Sequence, residues 1–444
     1  MYRMNSREWL YSLVNHEKKM PEKYSSEAFS IDRYIAILET LGFPQRVEIP
    51  AVQIIGTDGK GSTLAFLETL LVGCGQGVKS FISPHLVRLE ERFRREGHSM
   101  AGEELEALLD RVREGVDKLN RGATFFEVLN AAFWCWIRQD PPDFILLETG
   151  LGGRLDTTTQ SLPCLKILTH LERDHIQLLG KTMSLIAREK TQALRPGIPT
   201  LIGFQDPHIV ADLEGLVAEE RTPFRWVERE TRHEVLARSL QGWKVRTETP
   251  LLGEREFHLS LLGDHQMGNF LSALLALETL LPAQAKEVGD SVVPKWRGRC
   301  QVLDGDPDRP VLVDGSHTAV SGQAFRKVLD QVLDPQVPRE FSFMSTLDRY
   351  PWCYLRGLVR PRDKLFLVDW ESPRMWPAKE LQSNLKEAGW DGFKTPELRT
   401  IDWEEALARR NGTGEGAWIG CGSFYWVGQI LKFENQYQED SSTV

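Results

Sequence analysis

Ala51-Val52-Gln53-Ile54-Ile55-Gly56-Thr57-Asp58-Gly59-Lys60-Gly61-Ser62-Thr63 is the stretch that decides the fold. Its first five residues are largely apolar and β-branched, as a buried strand requires. A glycine-rich turn follows at once, and Thr63 to Leu71 continue with helical apolar spacing. Strand, glycine-rich turn and helix open a parallel α/β unit. Glycines let the backbone curl its N–H groups inward, the helix N-terminus adds partial positive charge, and Lys60 adds a full one. The expectation is a phosphate cradle formed by Thr57, Asp58, Gly59, Lys60, Gly61 and Ser62. The spacing departs from GxxxxGK[ST], since Ile54 holds the first position and Gly61 directly follows Lys60. A glycine-rich surface turn is the alternative; the strand before it and the helix after it weigh against that reading.

Outward from this stretch the alternation repeats. Helices are predicted over 102–118, 126–139, 182–194 and 207–220, and buried strands at Phe144–Leu147, Cys164–Thr169 and Ile198–Ile202. From about 224 to 262 the pattern turns polar and alternating, which predicts antiparallel strands. After Asp264, a predicted N-cap, Met267, Phe270, Leu271, Leu274 and Leu275 trace an amphipathic helix. Strand–helix alternation restarts beyond Pro294–Arg299, with strands at Pro310–Asp314, Phe341–Met344, Lys364–Val368 and Ala417–Ile419. The reading is two α/β domains, 1–295 and 296–444, ending in a disordered tail from Gln438.

Composition bounds the function. The chain has 444 residues, 41% hydrophobic and 26% charged, in keeping with a soluble globular protein. A net charge of −9 lends no support to a broad nucleic-acid surface. No run approaches the length of a membrane span, so no membrane partner is expected. Six scattered cysteines without a CxxC pair, and an N-terminus lacking the apolar core of a secretory signal, point to the cytoplasm.

Three further segments carry chemistry. Glu148 ends a buried strand before Thr149-Gly150-Leu151-Gly152-Gly153-Arg154-Leu155-Asp156, where a carboxylate suits magnesium beside phosphates. Strand-end acids also cap helices or pair with arginine. Asp174-His175 and Lys190 form the next set; taken alone, the histidine reads as a satisfied structural residue and Glu189-Lys190 as a solvated helix face. Asp314-Gly315-Ser316-His317 again ends a strand with an acid and a turn, which suits nucleotide hydroxyls or a second substrate but also describes many ordinary strand-to-helix turns.

Taken in order, these motifs resemble the folylpolyglutamate synthase/dihydrofolate synthase family of the Mur ligase superfamily, over about residues 24–430. The resemblance rests on Gly56–Ser62, Ser83-Pro84-His85-Leu86 with Glu91-Arg92, Thr124-Phe125-Phe126-Glu127, Gly150–Asp156, Asp174-His175, Ile186-Ala187-x-Glu189-Lys190, Gly263-x-His265-Gln266-x-x-Asn269, Arg297-Gly298-Arg299, Asp314-Gly315-x-His317 and Gly422-Ser423. It implies a Mur-ligase-like fold: an N-terminal P-loop nucleotide-binding α/β domain and a smaller, C-terminal Rossmann-like α/β domain. The implied activity is an ATP-dependent ligase adding L-glutamate to dihydropteroate, to reduced folates, or to both, through an acyl phosphate. Ser83 and Glu148 resemble the ligands of a first magnesium, Glu148 and His175 those of a second, and Lys190 matches a lysine carbamylated in the family. Asn269, Arg299, Asp314 and His317 look like ATP contacts. Ser83, His85, Phe126, Arg154 and Asp156 fall where the family binds the pterin substrate, and such enzymes are often monomers.

The chain departs from the family pattern at Asp58, where asparagine is usual, at Thr318 and Ala319, where Asn-Pro is usual, and at Asn130, where threonine is common. The alternatives are therefore a Mur-type ligase for another carboxylate and a nucleotide-binding relative without catalysis. With ATP contacts implied on both domains, the linker 294–299 is expected to act as a hinge. Small-angle scattering with ATP and acceptor should then show a smaller radius of gyration than the free protein, and an unchanged radius would argue against closure.

Overall fold

The computed structural model describes residues 4–18, 21–43, 48–119, 121–304, 306, 309–388, 397–412 and 416–441. It divides into two compact units. The first comprises Met1–His233, Thr247–Arg255 and Met267–Lys295, the second Glu234–Arg246, Glu256–Gln266 and Trp296–Val444.

The first unit is built on β1 (Ala51–Ile55), β2 (Val78–Phe81), β3 (Phe93–Arg95), β4 (His98–Ser99), β5 (Phe144–Glu148), β6 (Leu165–Leu168), β7 (Thr200–Ile202) and β8 (Phe224–Trp226). Their order in the sheet is β4-β3-β2-β5-β1-β6-β7-β8. From β2 to β8 all neighbours run parallel, while β3 and β4 are antiparallel additions at the edge. All five residues of β1 are buried between β5 and β6. The chain leaves β1 toward β2 on one side and later crosses to β6 on the other. The carboxyl end of β1 is therefore the topological switch point, where open α/β sheets bind ligands.

Helices cover both faces. On one side Ser6–Ser12, Ile31–Thr40, Gly102–Asp117 and Phe125–Gln139 enclose a core that includes Phe81, Phe93, Phe133 and Trp136. On the other, Met183–Thr191 and Val210–Glu219 bury Ala187, Leu213 and Val217 against Ile55, Leu168 and Trp226. The motif Thr124-Phe125-Phe126-Glu127 is a capping box. The Thr124 hydroxyl accepts from the Glu127 amide at 3.3 Å, and the Glu127 carboxylate accepts from the Thr124 amide at 2.9 Å. Arg33 completes it with a 2.7 Å ion pair to Glu127.

Between and after these come β9 (Arg232–Ser239), β10 (Gly242–Thr249), β11 (Gly253–Leu259) and β12 (Ser291–Val292), in the order β12-β11-β10-β9. The second unit holds β13 (Gln301–Asp304), β14 (Val311–Asp314), β15 (Glu340–Phe343), β16 (Lys364–Asp369), β17 (Glu397–Asp402) and β18 (Trp418–Cys421), in the order β13-β14-β18-β15-β16-β17. Only β13 is antiparallel to its neighbour.

Three sequence expectations are corrected. Phe224–Trp226, grouped with the antiparallel strands, pairs parallel with β7 and closes the main sheet. Asp264 is the first residue of helix Asp264–Leu280 rather than its cap, and its carboxylate lies 2.5 Å from Lys327. The tail, expected to be disordered from Gln438, continues helix Phe424–Ser441, while 442–444 lie outside the described residues. Among the described residues no helix is long and apolar enough to cross a membrane.

Candidate active site

The turn after β1 enters helix Lys60–Gly73 through Gly59, whose φ of +83° lies in the left-handed region. A Cβ there would also stand 2.2 Å from Asn269 Oδ1, so the position requires glycine twice over. Thr57 and Asp58 do not turn their amides inward as expected: both donate to the His170 carbonyl, at 3.0 and 3.1 Å. The inward-facing charge is instead that of the helix start and of Lys60, whose Nζ donates to the Thr57 carbonyl at 2.9 Å.

A small open pocket of about 30 Å³ lies at this end of the sheet, lined by Gly56, Thr57, Lys60, Gly150, Leu151, Gly152, Asp174, His175, Leu179 and Lys190. Its lining of two lysines and glycine backbone beside a helix N-terminus has the character of an anion site. Thr57, Lys60, His175 and Lys190, four residues singled out in the sequence, thus share one cavity. Glu148 stands directly before its Gly150–Gly152 wall, 6% exposed, and accepts from the Ser83 amide at 3.2 Å.

Lys190 corrects the reading of Glu189-Lys190 as a solvated face. It is buried, and its Nζ donates to the Gly56 carbonyl at 2.7 Å. Burial, followed by the nearby Lys60 charge, pushes its pKa down to about 7. His175 is held at φ +49°, an uncommon conformation for a residue bearing a Cβ. Such strain concentrates at functional sites. Its amide donates to Asp174 Oδ1 at 2.8 Å, and its Nε2 lies 3.6 Å from Asp174 Oδ2.

The wall opposite Lys60 is held together from within. Asp156 is buried and accepts from the Gly150 and Leu151 amides at 2.9 and 3.1 Å, and from the Thr158 amide and hydroxyl at 2.9 and 2.6 Å. Expected to meet substrate, it instead holds its own loop, because these four bonds use its acceptor capacity. Tyr24, for which the sequence gives no signal, places its hydroxyl in the same turn. It accepts from the Leu155 amide at 3.2 Å, close against Gly152 at φ +65°.

Phe126 packs edge-on to Phe81 at 5.7 Å and lies against Gly150. Arg154 is part-exposed, 3.4 Å from Glu189. His85 accepts at Nδ1 from Arg92 Nε at 2.8 Å, which leaves its proton on Nε2. Burial and the Arg92 charge push its pKa down to about 4, so it is neutral at physiological pH.

Arg299, Asp314 and His317 belong to the second unit. Asp314 accepts from the Cys300 and Ser316 amides at 2.7 and 2.8 Å, Arg299 lies over the Phe424 ring at 4.4 Å, and His317 Nδ1 is 3.3 Å from the Gly315 carbonyl.

The donor set has the character of a magnesium site that substrate completes. Among the described residues no three His, Cys, Asp or Glu side chains converge on one point. Magnesium commonly takes one or two carboxylates and fills its shell with phosphate oxygens and water. A buried Glu148 bonded to the Ser83 amide, two residues before the Gly150–Gly152 wall of a lysine-lined pocket, fits that pattern.

No family model matches the chain. It is 27% identical over 419 residues to the dihydrofolate synthase/folylpolyglutamate synthase of Bacillus subtilis, covering 90% of this chain and 94% of that protein. Among solved structures it is similar to a Mycobacterium tuberculosis folylpolyglutamate synthase complexed with ADP and AMPPCP, with a TM-score of 0.79, 22% identity, and 91% and 95% of the two chains covered. A bifunctional folylpolyglutamate synthase/dihydrofolate synthase with Mn, AMPPNP and L-glutamate bound gives a TM-score of 0.77 at 23% identity, with 96% of each chain covered.

Two outcomes test this geometry. Gly59→Ala adds about 1–2 kcal/mol of left-handed strain and forces Asn269 aside, so calorimetry should show at least a tenfold loss of ADP affinity. Gly75, at φ +77° with nothing within 4 Å of its Cβ position, supplies the control: Gly75→Ala should bear the strain and bind ADP normally. The second outcome is a pH dependence. Lys190 and the buried Lys166 both sit near 7 when folded, against an ordinary 10.5. The unfolded chain therefore binds more protons between those values, and stability rises with pH from about 7 toward 10.5. Lys190→Met should flatten that rise in urea titrations, and an identical slope would count against a lowered pKa for Lys190.

Proposed function

Because the chain belongs to the folylpolyglutamate synthase/dihydrofolate synthase family, we propose that it is an ATP-dependent ligase adding L-glutamate to dihydropteroate, to folate polyglutamates, or to both. The observation that carries this reading is the single pocket uniting Lys60, His175 and Lys190 beside Glu148. In the proposed reaction the acceptor's carboxylate oxygen attacks the γ-phosphorus of ATP, and ADP leaves. The glutamate amine then attacks the acyl carbon of the resulting acyl phosphate, losing a proton as phosphate departs. Little covalent work falls to the protein; positioning and charge supply most of the catalysis.

Lys60 and the first turn of its helix receive the β- and γ-phosphates. Ser83, Glu148 and His175 hold magnesium, which when bound neutralises phosphate charge. Lys190, with a pKa near 7, is available in part as the free amine at neutral pH, the form that adds carbon dioxide to give a carbamate. That change would replace a cation beside Lys60 with an anion. Asn269, which lies against Gly59, and Arg299, Asp314 and His317 are the proposed nucleotide contacts. Phe126, His85 and Arg154 line the acceptor side, with His85 fixed as a neutral hydrogen-bonding group by Arg92. The protein acts as a monomer in the cytoplasm, a placement supported by six cysteines that are all unpaired.

The test is an acceptor screen: purified protein with ATP, magnesium, glutamate and, in turn, dihydropteroate, reduced folates and a Mur-type acceptor. Glutamate-dependent ADP release with a pterin acceptor, lost at least a hundredfold in Glu148→Gln, is the expected result. Release with the Mur-type acceptor alone would transfer the reading to another carboxylate. ADP binding without release for any acceptor would favour a non-catalytic relative.

A further inference from the structure

Gln53 is a polar residue at the centre of the most buried strand. Its side chain is 0% exposed, as is that of Lys166 on the neighbouring β6. Lys166 Nζ donates to Gln53 Oε1 at 2.8 Å and to the Ala193 carbonyl at 2.5 Å, both neutral acceptors. Desolvation pushes Lys166 down to about 7, so the arrangement is costly for a core position.

What it achieves is direction. An amide has one oxygen and one NH₂, and here the oxygen is held by an amine. Gln53 must therefore present Nε2 to the other side, where the hydroxyls of Thr149, Thr158 and Thr159 lie at 3.2, 3.1 and 2.9 Å. Two of those hydroxyls have already committed their hydrogens. Thr158 donates to Asp156 at 2.6 Å and Thr159 to the Gly153 carbonyl at 2.8 Å. Their lone pairs are thus left to accept from Gln53. Asp156 in turn holds the Gly150 and Leu151 amides, which belong to the pocket wall. The same strand that carries Gln53 runs on into the Gly56–Lys60 turn, so a single element sets both walls.

We propose that Lys166 and Gln53 are positioning residues: the amine fixes which way the Gln53 amide faces, and the amide, through the three threonines, sets the Gly150–Asp156 turn against the phosphate pocket. Neither touches substrate. The inference rests on the ligase reading for its consequence in turnover, but not for its consequence in nucleotide binding.

Gln53→Glu separates the role from mere core packing. The carboxylate keeps its contact with Lys166 as an ion pair and matches the original side chain in size, yet it presents an acceptor where the threonines require a donor. The expected result is a melting temperature at or above that of the unchanged protein, with ADP affinity weakened about tenfold, the lower end for losing an outer-layer contact. Thr159→Val, which cuts the relay at the loop and leaves Lys166–Gln53 intact, should weaken ADP binding in the same direction and serves if Gln53→Glu does not fold. Either folded variant binding ADP as tightly as the unchanged protein would overturn the inference, as would a loss of affinity that only tracks a loss of thermal stability. Failure of the ligase reading is seen separately, as absence of acceptor-dependent ADP release from the unchanged protein.

Discussion

The 2.7 Å hydrogen bond from the buried Lys190 amine to the Gly56 carbonyl is the contact on which the rest of the site depends. It brings a helix from one face of the sheet to the mouth of β1, next to a second lysine on the following turn. Two cationic groups at the carboxyl edge of a sheet, close to a helix N-terminus, repel one another in a region where water screens poorly. Asp58, Asp174 and Asp156 partly compensate Lys190, and the remaining imbalance is what an anionic ligand would relieve. Burial first, and this repulsion second, lower the pKa of Lys190.

Such a site works only if its walls do not collapse onto the charge. Here rigidity comes from short, local bonds. Gly59 can turn tightly because it has no Cβ, and Asn269 fills the space that a side chain would take. Across the pocket, Asp156 ties two amides of its own turn, while Tyr24 occupies the hollow beside Gly152. The helix that presents Phe126 is fixed at its first turn by the Thr124–Glu127 box and by Arg33. All of these bonds are made within the protein, the kind of fixed framework that preorganised electrostatic catalysis demands.

This division of labour explains what could be read from the sequence. The stretch 51–63 was legible because strand, turn and helix are adjacent in the chain and each has a local signal. Glu148 was legible for the same reason, as an acid at the end of an apolar run. Lys190 was not legible from its neighbours: Arg188-Glu189-Lys190 looks like any solvated helix, and its burial comes from a contact 134 residues away. It entered the site only through the ordered set of motifs. Tyr24 and Gln53 gave no signal at all, since a tyrosine in a polar segment and one glutamine in a strand have many uses. β8 departs from its expected antiparallel pairing for a related reason. Its three residues are too few for periodicity to distinguish a parallel edge strand from the antiparallel run that follows.

The acids show why residue type at a strand end underdetermines role. Glu148, Asp156 and Asp314 all stand at or soon after the end of a buried strand, and sequence reasoning treats them alike as ligand groups. A carboxylate has about four acceptor sites, and the question is who fills them. In Asp156 the loop fills all four, so that a ligand could bind only by unmaking the turn that shapes its own pocket. In Asp314 two local amides, those of Cys300 and Ser316, hold both oxygens to the backbone. Glu148 differs in position as much as in bonding: it lies at the switch point beside β1, at the edge of the lysine-lined cavity, and its Oε2 is steadied by the amide of Ser83. A steadied carboxylate near an anion-binding turn is the arrangement in which a divalent cation gains most, because the acid and an anionic ligand then share its charge.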